Sequence, residues 1–268
     1  MDFLLECVGF PPDYPLADIV ARALRDGEPA AWRGTADRHR RLALGSGLEL
    51  LLDRESEERD WSILPDYRVA HRLRVAVDEI RPLPDSPYDA WLLGWAAPRS
   101  AADDRHDGEA SATPGAYRVS AFLTDARKLP RTLPSGHVLA LSLACFALDV
   151  TYVGPDTRAP DARTADDGSG AFIRPLGAAD DPGGCSDVSL HIREVRHLRN
   201  ALTHESVDVL EADAPGRPLT LFVSRWQLER DGLPAPRAGW RIGGTFLFSG
   251  RIAGGLPGPR PRDPSAFG

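Results

Sequence analysis

The N-terminal segment shows different patterns of apolar and polar positions in succession. Phe3–Phe10 is a mostly apolar run that ends at a pair of prolines, which is typical of a buried strand. Leu16–Leu24 places its apolar residues on one helical face and is followed by a glycine stop, which predicts a helix. Arg41–Asp53 holds two apolar runs around Gly45–Gly47, which predicts a hairpin. The predicted order of this N-terminal segment is strand, helix, strand, strand.

A loosely similar sequence pattern occurs three times in the rest of the chain. It starts at Leu73, Tyr117 and Asp187, and each copy is an alternating apolar run that closes with arginine, one residue and leucine. A second apolar segment ending near a glycine follows each copy at some distance. Period-two alternation is typical of strands with one buried face. We therefore expect an α+β, mostly β fold, in which a curved antiparallel, barrel-like sheet follows the N-terminal segment.

Stretches rich in Ala, Asp, Gly and Pro divide the chain. We predict surface loops at 98–115 and 154–186, and a disordered tail at 256–268, which holds four prolines. These breaks leave an α/β region at 1–97 and a β-rich region at 116–255. The two regions form either two domains or one.

Length and composition indicate a globular protein outside the membrane. The chain has 268 residues, 42% of them hydrophobic, which suffices for a sizeable core. Its longest apolar run is well short of the roughly 20 residues that span a bilayer. The N-terminus has an acidic second residue and no basic region, so we expect no secretory signal and a cytoplasmic location. Three widely spaced cysteines without a C-x-x-C pair indicate neither a disulfide framework nor a cysteine zinc site.

Charge and missing motifs restrict the chemistry. The net charge is −7, and the arginines are scattered among acids, which argues against general nucleic-acid binding. Lys128 is the only lysine and has no glycine-rich phosphate loop before it. The sequence also contains neither a nucleophile elbow nor a dinucleotide-binding glycine motif. We expect no obligatory cofactor.

Imidazole and carboxylate groups are concentrated in one segment, 191–211. Three of the seven histidines fall between His191 and His204, and four carboxylates share the segment. Such groups bind metals and move protons near neutral pH. His197, His204 and Asp208 form the candidate metal-binding set, which suits a divalent cation. The competing interpretation is a solvated charged surface.

Two local structures remain open for this segment. On a helix, His204, Asp208 and Glu211 would share one face, and His197 would join them from one heptad earlier. In a strand, His204 and Asp208 would share a face while Glu211 pointed to the other. The valines and leucine after position 206 favour the extended form.

Two short patterns resemble those of known families. Arg199–His204 (RNALTH) resembles the Arg-x4-His motif of HEPN-family ribonucleases, with asparagine after the arginine. This six-residue resemblance implies that both residues lie on one helix, where Arg199 stabilises charge and His204 transfers a proton. The strand–helix–strand–strand order is similar to a half-module of glyoxalase-like metal proteins, in which Glu6 would be a metal ligand.

Three classes of function remain open. The leading hypothesis is a non-catalytic binding or accessory protein, because no complete catalytic or cofactor motif is present. The alternative is a metal-dependent or HEPN-like phosphodiesterase or ribonuclease that uses the cluster from His197 to Glu211, with Arg199 and His204 as catalytic residues. A homo-oligomeric structural protein would need an exposed apolar patch. Convergence of His197, His204 and Asp208 on one point would favour the enzyme.

Overall fold

Strands make up most of the folded chain, so the predicted α+β, mostly β class is confirmed. The computed structural model describes residues 2–30, 38–56, 59–84, 86–98, 115–130, 132–155, 171–177 and 183–257. The helices in these ranges are α1 (Asp2–Glu6), α2 (Leu16–Asp26) and α3 (Arg225–Arg230), with a 3₁₀ turn at Ala126–Lys128. The strands are β1 (Glu28–Pro29), β2 (His39–Gly45), β3 (Leu48–Asp53), β4 (Ser62–Tyr67), β5 (Leu73–Leu83), β6 (Ser86–Ala96), β7 (Tyr117–Leu123), β8 (Val138–Gly154), β9 (Phe172–Pro175), β10 (Cys185–Arg199), β11 (Ser206–Asp213), β12 (Leu219–Val223) and β13 (Arg241–Gly254).

The prediction of a strand at Phe3–Phe10 is wrong. The run begins as helix α1, and its last turn closes when the Val8 and Phe10 amides donate to the Leu5 carbonyl. A short, continuously apolar run has no periodicity that separates a buried helix from a buried strand. Here the side chains of Leu4, Leu5 and Val8 pack into the hydrophobic core, and this segment is part of neither sheet. Glu6 therefore ends a helix, and the element order of the glyoxalase-like half-module is absent.

The predicted helix and hairpin at the start of the chain are confirmed. Helix α2 spans Leu16–Asp26, and β2 and β3 form an antiparallel pair around the tripeptide at 45–47. Gly45, Ser46 and Gly47 all have positive φ angles of 90°, 52° and 85°, the backbone that a tight hairpin turn requires. These strands belong to a four-stranded sheet in the order β1-β2-β3-β4.

The larger sheet has nine strands in the order β11-β12-β8-β5-β6-β7-β13-β10-β9. Additional pairings join β8 to β13 and β10 to β11. One circuit therefore runs through β8, β12, β11, β10 and β13, and another through β8, β5, β6, β7 and β13. The two five-strand circuits share the β8–β13 ladder. The sheet is curved, as predicted. It is mixed, whereas an antiparallel sheet was predicted, because two of its pairings, β12–β8 and β13–β7, are parallel.

The predicted loop at 154–186 contains a strand. β9 pairs antiparallel with the start of β10, from Ser186↔Pro175 to Ser189↔Phe172. Its four residues lie at the edge of the sheet and are too few to show an alternating pattern. Most of the predicted loop at 98–115, the stretch 156–170 and most of the predicted tail lie outside the described residues.

Strands from both predicted regions pair in this sheet. β5 and β6, from the region 1–97, pair with β8 and β7, from the region 116–255. Buried residues from Leu4 to Ile252 belong to one hydrophobic cluster. The division into two regions stays a prediction. In the described part of the chain, no helix has the length and apolar character needed to cross a bilayer.

The centre of β6 leaves no space for a side chain at Gly94, which gives a test of the strand register. A Cβ atom there would lie 2.4 Å from the carbonyl oxygen of Ala76 on β5. We expect Gly94→Ala to lower the free energy of unfolding by about 1–3 kcal/mol, because the backbones must separate. Urea denaturation measures this loss.

Gly183→Ala is the matched control, since no heavy atom lies within 4 Å of a Cβ built there. This variant should unfold like the wild type. Equal stability of the two variants would contradict the β5–β6 register described above.

Candidate functional site

The segment 191–211 is a β-hairpin, so its helical alternative is wrong. β10 and β11 pair antiparallel through the registers Glu194↔Glu211 and His197↔Asp208. Directly opposed residues point to the same face of a sheet, and faces alternate along each strand. The two pairs therefore point to opposite faces. The predicted cluster is split into two separate sites.

Arg199 and His204 lie in and beside the turn of this hairpin, not on a helix. Arg199 ends β10, and its Nε donates to the backbone carbonyl of His204 at 3.2 Å. His204 is exposed with a positive φ of 62°, and its amide donates to the Asn200 carbonyl at 2.8 Å. The helical placement that the HEPN resemblance implies is wrong. The motif's six residues here form a strand end and a tight turn.

Asn200 organises this turn and joins it to the N-terminal segment. Its side chain is fully buried, and its Oδ1 accepts from the amides of Leu202 at 2.8 Å and Thr203 at 3.2 Å. Its Nδ2 donates to the carbonyl of Val8 at 2.7 Å, while the Thr203 hydroxyl donates to that of Gly9 at 2.6 Å. The asparagine of the motif thus has a structural role.

His197 and Asp208 lie side by side on one face of the hairpin. The Nδ1 of His197 lies 2.8 Å from Oδ1 of Asp208, and the histidine side chain is 68% exposed. Arg199 lies two residues further along β10 and shares this face. His204 stands in the turn, outside the pair. Among the described residues, no group of three or more His, Cys, Asp or Glu side chains could hold a metal ion.

The opposite face forms the floor of a cavity of about 230 Å³, here named the Glu211 pocket. β10, β11 and β12 supply its floor, and the chain that follows β4 supplies its rim. The residues that line it are Tyr67, Arg68, Ala70, His71, Glu194, Arg196, Glu211 and Thr220. This pocket brings acidic, basic and hydroxyl groups from five segments into one place.

Glu211 is the buried acid of the pocket, and one of its oxygens has no hydrogen-bond partner. Its Oε1 accepts from Arg196 Nη2 at 2.9 Å and from the Thr220 hydroxyl at 3.2 Å. Its Oε2 has almost no solvent-accessible surface and accepts no hydrogen bond from any residue that the structure describes. Nε2 of His71 lies 3.6 Å from it, beyond normal hydrogen-bond length. Buried acceptors without a donor are rare and costly.

Arg196 lies between Glu211 and Tyr67. Its Nη2 donates to Oε1 of Glu211 at 2.9 Å. Burial acts to lower the pKa of Arg196, but Tyr67 and Glu211 together outweigh it, so the pKa lies above its ordinary value. The Tyr67 ring packs edge-on against Phe222, with ring centroids 5.0 Å apart. Glu211 and Tyr67, on two different strands, are thus joined through Arg196.

A buried ionic network supports the rim. Arg251, on β13, pairs with both Glu49 on β3 and Asp66 on β4. Arg68 Nη2 reaches Glu49 Oε2 at 3.5 Å, and the Tyr67 amide donates to Asp66 Oδ1 at 2.8 Å. Burial, only partly offset by Arg251, raises the pKa of Asp66 to about 6. The network fixes the end of β4, and with it the side chains that line the pocket rim.

The predicted site residues have different outcomes in this arrangement. The structure brings His197 and Asp208 together and leaves His204 apart from them. Glu211 was named in the cluster, but its partners Arg196, Thr220 and His71 were missed, because no local pattern connects four separate segments. The sequence matches no protein-family model, no curated protein and no solved structure.

Replacing Asn200 tests the structural role of the turn. Asn200→Ala removes three hydrogen bonds and leaves the buried Val8 carbonyl without that donor. We expect the free energy of unfolding to fall by about 2–4 kcal/mol. Chemical denaturation monitored by tryptophan fluorescence measures the change.

His204→Gly is the control for this turn. Glycine adopts a positive φ without steric cost, so this variant should be as stable as the wild type or slightly more stable. A destabilised His204→Gly together with a stable Asn200→Ala would show that the histidine, not the asparagine, holds the turn.

Proposed function

We propose that the protein is a non-catalytic binding protein that takes a small polar ligand in the Glu211 pocket. The observation that carries this proposal is the buried Oε2 of Glu211, which has no hydrogen-bond partner and belongs to a residue that lines a cavity. A ligand that displaces the exposed His71 ring, whose Nε2 lies 3.6 Å from Oε2, and donates a hydrogen bond to this atom removes the cost of leaving it unpaired. The ligand therefore carries a hydroxyl, amide, ammonium or guanidinium group.

The rigidity of the floor supports binding. Arg196 and Thr220 hold Oε1, so the direction of Oε2 is set before a ligand arrives. A preorganised acceptor avoids the entropic cost of ordering a side chain during association. The cavity of about 230 Å³ is smaller than the roughly 300–1,000 Å³ of sites for drug-sized molecules, which favours a compact ligand.

A thermal-shift screen tests this proposal. The wild-type protein is heated with small amines, amino acids, sugars and polyols, each at millimolar concentration. A ligand at about ten times its Kd adds roughly 1.4 kcal/mol of stability, which raises the Tm by about 3–5 °C in a chain of this size. We expect at least one compound to give such a shift and to be recovered chemically unchanged.

Glu211→Gln identifies the site of binding. The amide oxygen of glutamine can keep the bonds from Arg196 and Thr220, so its NH₂ group would face the ligand's donor. The shift should then disappear, whereas Glu229→Gln, on the exposed surface of α3, should retain it. A shift that survives Glu211→Gln, chemical conversion of the bound compound, or no shift with any compound would overturn the proposal.

A second candidate function, phosphodiesterase or ribonuclease chemistry, is favoured by the opposite face of the hairpin. Asp208 Oδ1 lies 2.8 Å from Nδ1 of His197, which leaves Nε2 as the ring atom for proton transfer. A carboxylate that orients a histidine in this way is a recurrent feature of acid–base sites. Arg199 on the same face supplies a positive charge for a phosphate group. His71 belongs to the pocket and His197 to this face, so the two candidates involve different histidines.

A further inference from the structure

The charges of the Glu211 pocket are arranged in two groups. Acidic groups lie on the floor, where Glu194 and Glu211 are directly opposed across β10 and β11. Opposed residues in an antiparallel pair have Cβ atoms about 4.5–5.5 Å apart, and like charges in such a pair repel. A cation between the two carboxylates relieves this repulsion. Such a cation also satisfies the Oε2 atom of Glu211.

Basic groups lie at the rim, on the chain that follows β4. The Arg68 side chain is 58% exposed, and the Glu49 carboxylate that it pairs with at 3.5 Å is also paired with Arg251 and Arg41. Arg68 can therefore turn toward a ligand at the pocket mouth while Glu49 stays paired. His71 is part-exposed beside it. Arg196 is also basic, but its hydrogen bond to Glu211 holds it in the floor. The floor thus carries two acids and one base, a net negative charge, and the rim carries the positive charge of Arg68.

We propose that the ligand is a small zwitterion that carries a primary ammonium group and a carboxylate, like a free amino acid. This inference rests on the function proposed above and specifies its ligand class. The ammonium donates to Glu211 Oε2 and lies against Glu194, while the carboxylate accepts from Arg68. Charge-assisted hydrogen bonds at both ends make the zwitterion a better ligand than a molecule with one charge or none.

Isothermal titration calorimetry on the full chain tests the ligand class. The probes are glycine and 4-aminobutyrate as zwitterions, propylamine as an ammonium alone, propionate as a carboxylate alone, and glycerol as a neutral polyol. Two zwitterions of different length are used because the distance between floor and rim selects the spacing of the charges. We expect one zwitterion to bind at least tenfold more tightly than each of the other three kinds of probe.

Two variants assign the two ends of the ligand. Glu211→Gln should weaken both the zwitterion and propylamine, because both present the ammonium to the floor. Arg68→Gln should weaken the zwitterion to the affinity of propylamine and leave propylamine unchanged. Arg72→Gln, an exposed arginine outside the pocket lining, is the matched control and should bind like the wild type.

Other outcomes separate this inference from the proposed function. Binding of propylamine or glycerol as tightly as the tighter zwitterion, with loss in Glu211→Gln, would overturn the zwitterion and leave the binding function standing. Zwitterion binding that Arg68→Gln leaves unchanged would also overturn it. If none of these probes binds, the zwitterion is excluded, and the binding function then depends on the wider screen of sugars and polyols.

Discussion

The antiparallel ladder between β8 and β13 is the interaction on which the rest of the molecule depends. It runs from Gly154↔Arg241 to Ala140↔Gly254, and both strands belong to both circuits of the large sheet. Two of its three register shifts, at Gly243/Gly244 and Ile252/Gly254, involve glycines, and a Cβ at Gly244 would lie 2.2 Å from the carbonyl oxygen of Asp149. A slip of one residue would reverse every inward side chain, so these close contacts help to hold the register.

The Glu211 pocket depends on this ladder through its neighbours. β12 pairs parallel with β8, β10 pairs with β13, and the β10–β11 hairpin closes the circuit between them. That closure places Thr220 and Arg196 beside Glu211. Arg251, on the same strand β13, reaches the small sheet through Glu49 and Asp66 and so holds the rim above the floor. Breaking a buried pair of this kind leaves an uncompensated charge, which links the geometry of the pocket to the stability of the fold.

Periodic segments were predictable from the sequence, and contacts between distant segments were not. The helix at Leu16–Asp26, the hairpin at 45–47 and the strand that begins at Leu73 all follow from local patterns. The run Phe3–Phe10 was assigned wrongly because its continuous apolar character suits either a helix or a strand.

The candidate site shows the same limit. Histidines drew attention to the segment 191–211, but alternation along β10 and β11 separates His197 and Asp208 from Glu211. In the RNALTH motif, the arginine and histidine suggested chemistry, whereas the structure gives the central role to Asn200. One of its hydrogen-bond partners is Val8, 192 residues away in the sequence, and another is Leu202 within the same turn. No local signal identifies His71 or Arg196 as neighbours of Glu211.

The most direct test of the central claim compares two histidine rings by NMR. His71 lines the Glu211 pocket, and His197 lies on the opposite face of the same hairpin. Their ring C–H signals are assigned with His71→Gln and His197→Gln and followed as the best ligand of the thermal screen is added. We expect the His71 signals to shift and saturate while those of His197 stay in place. Saturable shifts of His197 with an unchanged His71 would contradict the account and place the functional site on the other face.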